Sequence, residues 1–219
     1  FNQLININRS ARYPNDSIYS NKPPLLKKDL IIENGNAYGI DFLVKYNRNQ
    51  IYVWMVYSLG FVNRTGEFMN LNQEIYTATF PTHFDRRHNI NLMGTYTFGK
   101  GLLWELSGRW NFGSGFPFTP NGGFYENIQF PDIDTDYETA HGDLQLVYGK
   151  INSKRLPTYH RLDINIKRTI ALRGDAELVL DFGATNVYNR KNIFYYNRVK
   201  VKGVYQLPIM PSIGMSLTF

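Results

Sequence analysis

Three aspartates at alternate positions form the pattern in this sequence that most resembles a metal site. Asp132, Asp134 and Asp136 lie in the segment DIDTD, and carboxylate oxygens are the ligands that Ca²⁺ prefers. An EF-hand loop continues with a glycine and ends on a glutamate at its twelfth position. Tyr137 stands where that glycine would be, so the match is incomplete. We expect a solvated acidic loop and no metal site, with weak calcium binding at these aspartates as the alternative.

Signatures of catalysis and of cofactor binding are weaker still. The four histidines, His83, His88, His141 and His160, lack the spacing of zinc ligands. The glycine-rich segment 113–123 is not followed by a Lys-Ser/Thr pair, so it is not a phosphate-binding loop. No Ser-His-Asp or paired-carboxylate arrangement rises above chance. We therefore expect neither enzymatic activity nor a cofactor.

Two groups of charged residues could bind an anionic ligand. Arg86 and Arg87 are adjacent and follow Asp85, and Arg161 precedes Asp163 by two positions. A guanidinium is well suited to bind carboxylates and phosphates. The same charges often pair with each other or with neighbouring loops, and the sequence leaves both interpretations open. The candidates for the mouth of a ligand site are Arg86, Arg87, Arg161 and Asp163.

Composition limits the class of protein. The chain has 219 residues, a net charge of +6 and no cysteine, so disulfides cannot stabilise it. Lysines and arginines are scattered, whereas a nucleic-acid binder usually clusters them, and we expect no nucleic-acid partner. No stretch approaches 18 consecutive apolar residues, so a transmembrane helix is not expected. The mean hydropathy of -0.36 remains compatible with a transmembrane barrel, because only half of each strand faces lipid.

Alternating apolar and polar side chains predict eight strands. We place them at residues 1–9, 37–47, 51–63, 86–98, 101–113, 158–169, 175–188 and 205–219. Three tight connections, at 47–50, 99–101 and 169–175, alternate with long loops at about 10–36, 64–85, 114–157 and 189–204. In an up-and-down sheet all tight turns then lie on one side, as in outer-membrane barrels. We predict an all-β, antiparallel up-and-down transmembrane β-barrel.

The two predicted faces differ in charge. One face is apolar or aromatic, as in Tyr38, Ile40, Phe42, Val44 and Tyr46, and the positions that we assign to it include no charged residue. The opposite face carries the side chains that we expect to line the lumen: Asp41, Lys45, Glu105, Arg109, Asn165, Lys167, Glu177 and Asp181. Lysine or arginine on a lipid-facing surface costs roughly 2–4 kcal/mol at the bilayer midplane, which favours lipid against the uncharged face.

Aromatic residues mark both ends of the predicted strands. Tyr46, Phe98, Trp104 and Phe219 lie beside the tight turns, and Phe61, Trp110, Phe112 and Tyr188 lie near the other rim. Tyr and Trp prefer membrane interfaces because one part of the ring is apolar and another can form hydrogen bonds.

Several segments, taken in order, resemble the C-terminal third of TonB-dependent outer-membrane receptors, especially those of Bacteroidetes. The segments are NAYGIDFLVKY (36–46), VYSLGFVNRTGEF (56–68), FPTHFDRRHNINLMGTYTF (80–98), GSGFPFTPNGGFYE (113–126), RLPTYHRLDINI (155–166), FGATNVYNRKN (182–192) and QLPIMPSIGMSLTF (206–219). The resemblance implies that the chain is the last part of a 22-stranded barrel that encloses a plug. Residues 1–219 would then be its C-terminal segment.

This resemblance also implies a function and partners. A nutrient ligand would be imported across the bacterial outer membrane, with TonB acting through a plug that these residues do not contain. The expected partners are outer-membrane lipid, the rest of the barrel, the plug and a surface lipoprotein.

Three alternatives remain open at this point. The chain could form a structural or accessory barrel that anchors an outer-membrane assembly, a self-contained eight-stranded outer-membrane barrel, or a soluble β-protein. A closed eight-stranded barrel requires residues 1–9 to pair with 205–219.

Overall fold

The computed structural model describes residues 4–7, 30–69, 75–127, 143–174, 176–197 and 200–219. The strands are β1 (Leu4–Ile7), β2 (Leu30–Arg48), β3 (Ile51–Met69), β4 (Ile75–Pro81), β5 (His88–Phe98), β6 (Trp104–Gly113), β7 (Pro117–Phe118), β8 (Asn121–Asn127), β9 (Asp143–Tyr148), β10 (Lys154–Arg155), β11 (Tyr159–Ala171), β12 (Glu177–Thr185), β13 (Ile193–Asn197), β14 (Lys202–Tyr205) and β15 (Met210–Thr218). One short 3-10 turn covers Lys100–Leu102. In this part of the chain no helix has the length and apolar character needed to cross a membrane.

The prediction of an all-β fold with antiparallel strands is confirmed. The main sheet has the order β1-β2-β3-β5-β6-β11-β12-β15, and β4 also pairs with β3. All eight predicted strands are found in this order, with ends that differ by a few residues at most positions.

The sheet is not closed on itself within the described residues. Residues Leu4–Ile7 pair with β2, and residues Met210–Thr218 pair with β12. The pairing of residues 1–9 with 205–219 that an eight-stranded barrel requires is therefore not present in the described parts of these segments.

The chain divides into two compact units. The first unit comprises Phe1–Tyr38, Gly60–Asp85 and Pro117–Arg155, and the second comprises Gly39–Leu59, Arg86–Phe116 and Leu156–Phe219. The first unit contains three antiparallel pairings beyond those of the predicted eight strands. They join β3 with β4, β8 with β9, and β7 with β10. The connections that we predicted as loops at 64–85 and 114–157 therefore contain strands.

Cross-strand pairing explains why β3 continues beyond residue 63, where we predicted its end. Residues Asn63–Met69 pair with Ile75–Pro81, and the hydroxyls of Thr65 and Thr79 are hydrogen-bonded at 2.8 Å. These polar positions give no apolar alternation for a sequence pattern to detect. Paired threonines nevertheless stabilise antiparallel strands.

In the second unit the register brings all three tight turns to one edge of the sheet. Ile51 pairs with Tyr96, Phe98 with Trp104, and Glu177 with Thr218. We call this the turn edge. At the opposite end Leu59 pairs with His88, Tyr159 with Gly113, and Thr185 with Met210, and we call this end the loop edge.

Most positive-φ residues in the turns at the turn edge are of types that tolerate this conformation. Asn49 follows β2 with φ 52°, and Gly174 lies between β11 and β12 with φ 77°. Gly99 precedes the 3-10 turn with φ 86° and Gly101 lies within it with φ 70°, while Leu102 in the same turn is the exception with φ 55°. Asparagine and glycine accept this left-handed region at low cost. Short connections at this edge are thus encoded locally.

Candidate functional site

The register of the second unit separates an apolar face from a polar face. One cross-strand row of the apolar face consists of Ile51, Tyr96, Leu106, Ile166, Phe182 and Ile213. Many side chains of the apolar face are not covered by other parts of the chain: Phe42 is 57% exposed, Ile213 77% and Met215 75%. Contiguous apolar surface of this kind marks an interaction with a membrane or with protein.

The polar face carries an ion pair between Arg161 and Asp163, which is one of the two interpretations that the sequence left open for these residues. Arg161 donates from Nε and Nη2 to Oδ2 of Asp163, at 3.1 and 2.9 Å. The other carboxylate oxygen of Asp163 accepts the backbone N–H of Asn186 at 2.9 Å. Asp163 is also the cross-strand neighbour of Arg109. The carboxylate thus holds Arg161 at the start of β11 and fixes the chain after β12.

Further charges pair along the same face towards the turn edge. Lys167 Nζ lies 3.6 Å from Glu105 Oε1, and Asn165 Nδ2 donates to Asp181 Oδ2 at 2.9 Å. A cavity of about 300 Å³ lies here, with Arg109, Asp163, Asn165 and Asp181 in its wall. Asn165 Oδ1 is buried and has no hydrogen-bond partner among the described residues.

The remaining predicted lumen residues lie on this polar face as well. Lys45 Nζ is 5.9 Å from the ring of Tyr52, whose neighbour in the register is Thr95. Asp41 shares the strand parity of Lys45, and Glu177 pairs with Thr218 at the turn edge. All eight residues that we predicted to line a lumen are therefore on one face.

A second cavity of about 430 Å³ lies at the loop edge of the polar face. Its wall consists of Arg161, Thr185, Asn186, Asn192, Phe194, Tyr205, Gln206, Leu207 and Met210. The rings of Phe194 and Tyr205 are 69% and 51% exposed, and Arg161 Nη1 is in no hydrogen bond with the described residues. An arginine with a free N–H beside two open aromatic rings can bind the polar and apolar sides of a small ligand together.

An asparagine-rich segment shapes this cavity, and our sequence analysis did not identify its role. Asn186 is only 1% exposed. Its Nδ2 donates to the backbone carbonyls of Arg190 and Leu207, and its Oδ1 accepts the backbone N–H of Arg190. Asn192 accepts from His160 N at 3.2 Å and donates to His160 O at 2.9 Å. The only signal in the sequence is the spacing of Asn186, Asn189 and Asn192 at intervals of three residues.

The pair Arg86-Arg87 is built into the fold rather than open to solvent. The guanidinium carbon of Arg86 lies 4.3 Å from the ring centroid of Phe116 and 5.7 Å from that of Tyr159. Burial lowers the pKa of Arg86, while Tyr159 acts in the opposite direction. Arg87 is half-buried. The geometry assigns Arg86 to a cation–π stack. Of the four candidates only Arg161 lies in the wall of the loop-edge cavity, and Asp163 lies in the wall of the 300 Å³ cavity.

Two of the histidines lie within hydrogen-bond distance of tyrosine hydroxyls, and His141 lies outside the described residues. His88 Nδ1 is 3.0 Å from the Tyr57 hydroxyl, and His160 Nδ1 is 2.8 Å from the Tyr188 hydroxyl. Within the described ranges no group of three or more His, Cys, Asp or Glu residues could hold a metal ion. Asp132, Asp134 and Asp136 lie outside the described residues.

The apolar face also contains two charged residues that our sequence analysis missed. We ended the apolar series of β2 at Tyr46 and that of β11 at Ile166, but both strands continue, and the same alternation brings Arg48 and Arg168 to this face. Arg168 pairs with Trp104 and Leu180, which confirms its place in the register. Both arginines are at the turn edge.

No family model, curated protein or solved structure matches the chain.

Proposed function

We propose that this chain is part of the barrel wall of a TonB-dependent transporter that imports a nutrient ligand across the bacterial outer membrane. The observation that carries the proposal is the division of the sheet into two faces. In the second unit an apolar face with widely exposed side chains lies opposite a charged face that includes the ion pairs Arg161–Asp163 and Lys167–Glu105. Lipid covers such an apolar face without a packed protein layer, and a wet lumen accommodates the charges.

The distribution of connections supports the same proposal. The tight turns share one edge of the sheet, while the long connections leave from the other. Outer-membrane barrels have short periplasmic turns and long extracellular loops. The turn edge would then be periplasmic and the loop edge extracellular. The segments quoted above for their similarity to TonB-dependent receptors extend the proposal to a 22-stranded barrel with a plug.

Within this mechanism the described residues bind and guide rather than catalyse. Ligand enters from the loop edge, where Arg161 and the rings of Phe194 and Tyr205 offer a first contact. The row of paired charges from Asp163 to Lys167 lines the path past the plug. TonB acts on the plug, and the wall supplies a rigid frame in which the charges already have partners.

A pair of adjacent residues on β6 allows a decisive experiment. Leu106 and Ser107 have opposite strand parity, and the chain contains no cysteine of its own, so Leu106→Cys and Ser107→Cys can be spin-labelled singly. In outer-membrane vesicles the label at 106 should collide readily with oxygen and poorly with a water-soluble nickel complex, and the label at 107 should show the reverse. Low accessibility of position 106 to both reagents would mean a dry protein core and would overturn the membrane assignment.

Transport is tested separately in intact cells. Uptake of the ligand should cease when TonB is removed and should fall when Arg161 is replaced by glutamine. Lipid exposure at position 106 together with uptake that does not depend on TonB would assign the chain to an anchoring barrel instead.

A further inference from the structure

The only charged side chains on the described apolar face of the second unit are two arginines, both at the turn edge. Arg48 ends β2, and Arg168 lies near the end of β11. Arg168 is exposed, and among the described residues its guanidinium contacts the ring of Trp104 and no acidic side chain. Lys100 and Arg173 are also basic, but they lie in the turns beyond the strands and are not part of this apolar face. A positive rim next to apolar surface suits an anionic group attached to a hydrocarbon chain.

Arg168 is held in place by a stack of aromatic rings. Its guanidinium carbon is 4.8 Å from the ring centroid of Trp104. Trp104 stacks on Phe98 at 6.2 Å, and Phe98 stacks on Tyr96 at 5.5 Å. Gly99 fits closely against Trp104, since a Cβ at this position would lie 3.0 Å from Cδ1 of the indole. The guanidinium therefore has a fixed platform and keeps its N–H groups available to an anion.

An apolar groove of about 590 Å³ lies on the same face, and Tyr96 belongs both to the aromatic stack and to the wall of this groove. Its wall consists of Ile51, Tyr52, Val53, Gly94, Thr95, Tyr96, Leu106, Ser107, Gly108, Leu162 and Ile164. The floor is the direct pairing of Gly94 with Gly108. A Cβ at Gly108 would meet nothing within 4 Å, and one at Gly94 only the Tyr52 carbonyl at 3.9 Å. The chain's own packing thus leaves the space open.

We infer that this surface binds one anionic glycerophospholipid, with its phosphate on Arg168 and one acyl chain in the groove above Gly94 and Gly108. The row containing Arg168 and the row containing Gly108 are four strand residues apart, about 13 Å at the usual rise of a strand. A phospholipid joins an anion to a hydrocarbon chain over such a distance. This inference rests on the proposed function, because it requires the apolar face to lie in a bilayer.

A phospholipid accounts for both parts of the surface at once. A second protein would need only the apolar groove, and a free phosphate would need only the arginine. Arg168 has no acidic partner among the described residues, whereas on the polar face Arg161 pairs with Asp163 and Lys167 with Glu105. The headgroup would neutralise Arg168 at the level where interfacial residues lie.

Native mass spectrometry of the polypeptide that carries this chain, released from phosphatidylglycerol-containing detergent micelles, tests the site. The protein should retain one tightly bound phosphatidylglycerol, and Arg168→Gln should reduce the retained fraction at least fivefold. Arg173→Gln removes a charge of the same sign from the same edge, but position 173 lies in the turn. The fraction of phosphatidylglycerol that this variant retains should stay within twofold of the unmodified protein. Equal retention in the two variants, or an equal loss in both, would overturn the specific site.

Filling the groove gives an independent result. Gly108→Leu should displace the acyl chain and reduce retention, while Gly60→Leu, at another glycine of the main sheet with free space around its Cβ, should leave retention unchanged. Retention unaffected by Gly108→Leu, or a second protein copy in place of the lipid, would contradict the inference. Cell fractionation separates the failure of the two proposals. If the protein is absent from the outer membrane, the proposed function is rejected. If the protein is present there but Arg168→Gln and Arg173→Gln retain equal amounts of lipid, only the lipid site is rejected.

Discussion

The carboxylate of Asp85 is fully buried and pairs with the guanidinium of Arg155, whose Nη1 also donates to the Asp85 carbonyl at 2.9 Å. The second carboxylate oxygen of Asp85 accepts the backbone N–H of Val62 at 2.9 Å. One side chain thus joins three distant parts of the first unit.

Replacing Asp85 by asparagine should therefore destabilise the first unit strongly. The amide would keep the shape of the side chain but lose the charge that compensates Arg155, and removing one partner of a buried pair costs about 3 kcal/mol. Glu105→Gln is the matched control, because Glu105 and Lys167 are each 40% exposed and such a pair contributes less than about 1 kcal/mol. The free energy of unfolding in urea, measured in lipid vesicles, checks both. Equal losses in the two variants would show that Asp85 has no special role.

Asn186 should resist replacement for two separable reasons. Asn186→Ala removes the side-chain bonds to Arg190 and Leu207 and leaves an alanine at φ 55°. Asn186→Gly loses the same bonds but tolerates this backbone, so it should be more stable than the alanine variant by about 1 kcal/mol. Unfolding measurements on both variants give the difference. If the two variants have the same free energy of unfolding, the left-handed backbone at this position is not retained in the variants.

Gly113 should be a position where even a methyl group disturbs the loop edge. A Cβ there would meet the guanidinium of Arg86 at 2.5 Å, and Phe116 lies against that guanidinium. Gly113→Ala should cost about 1–3 kcal/mol, the range for overpacking. Gly108→Ala on the same strand should be close to neutral, because its Cβ meets nothing within 4 Å.

A double-mutant cycle identifies the cause of that loss. In an Arg86→Ala background the penalty of Gly113→Ala should shrink by at least about 0.5 kcal/mol, the usual coupling between residues in contact. A penalty that stays the same in both backgrounds would mean that the methyl group acts on something other than Arg86.

A lysine should be tolerated on only one face of β6. Leu106→Lys introduces a charge on the apolar face and should cost about 2 kcal/mol or more if that face meets lipid. Ser107→Lys introduces it on the polar face and should have little effect. The amount of folded protein in the outer membrane, read from its resistance to unfolding in cold SDS, checks the pair. Similar folded amounts would argue against a lipid-facing surface.

The sequence predicted the strands whose faces differ in polarity and missed those whose faces do not. The series Tyr38 to Tyr46 alternates clearly, so β2 was identified. The paired segments around Thr65 and Thr79 show no such contrast, so β4 was predicted as part of a loop. Hairpin pairing there depends on contacts between strands, which one sequence does not display.

The candidate site was predicted by face but not by partner. Alternation alone assigned Asp163 and Lys167 to the polar face. It could not show that Arg161 bonds Asp163 while Arg86 packs against Phe116 and Tyr159, because both arginines lie at the start of a predicted strand in a charged segment. The charge on Arg168 was overlooked because the predicted apolar series ended one position too early.

The clustering of tight turns at one edge has a consequence for how the sheet folds. The hairpins of β2 with β3, β5 with β6, and β11 with β12 each close over a few residues, and each doubling of a connection adds about 0.6 kcal/mol of closure entropy. These three hairpins can form early and independently. The pairing of Gly113 with Tyr159 closes a much longer segment, so we expect the docking of β11 on β6 to be slower than the closing of these hairpins.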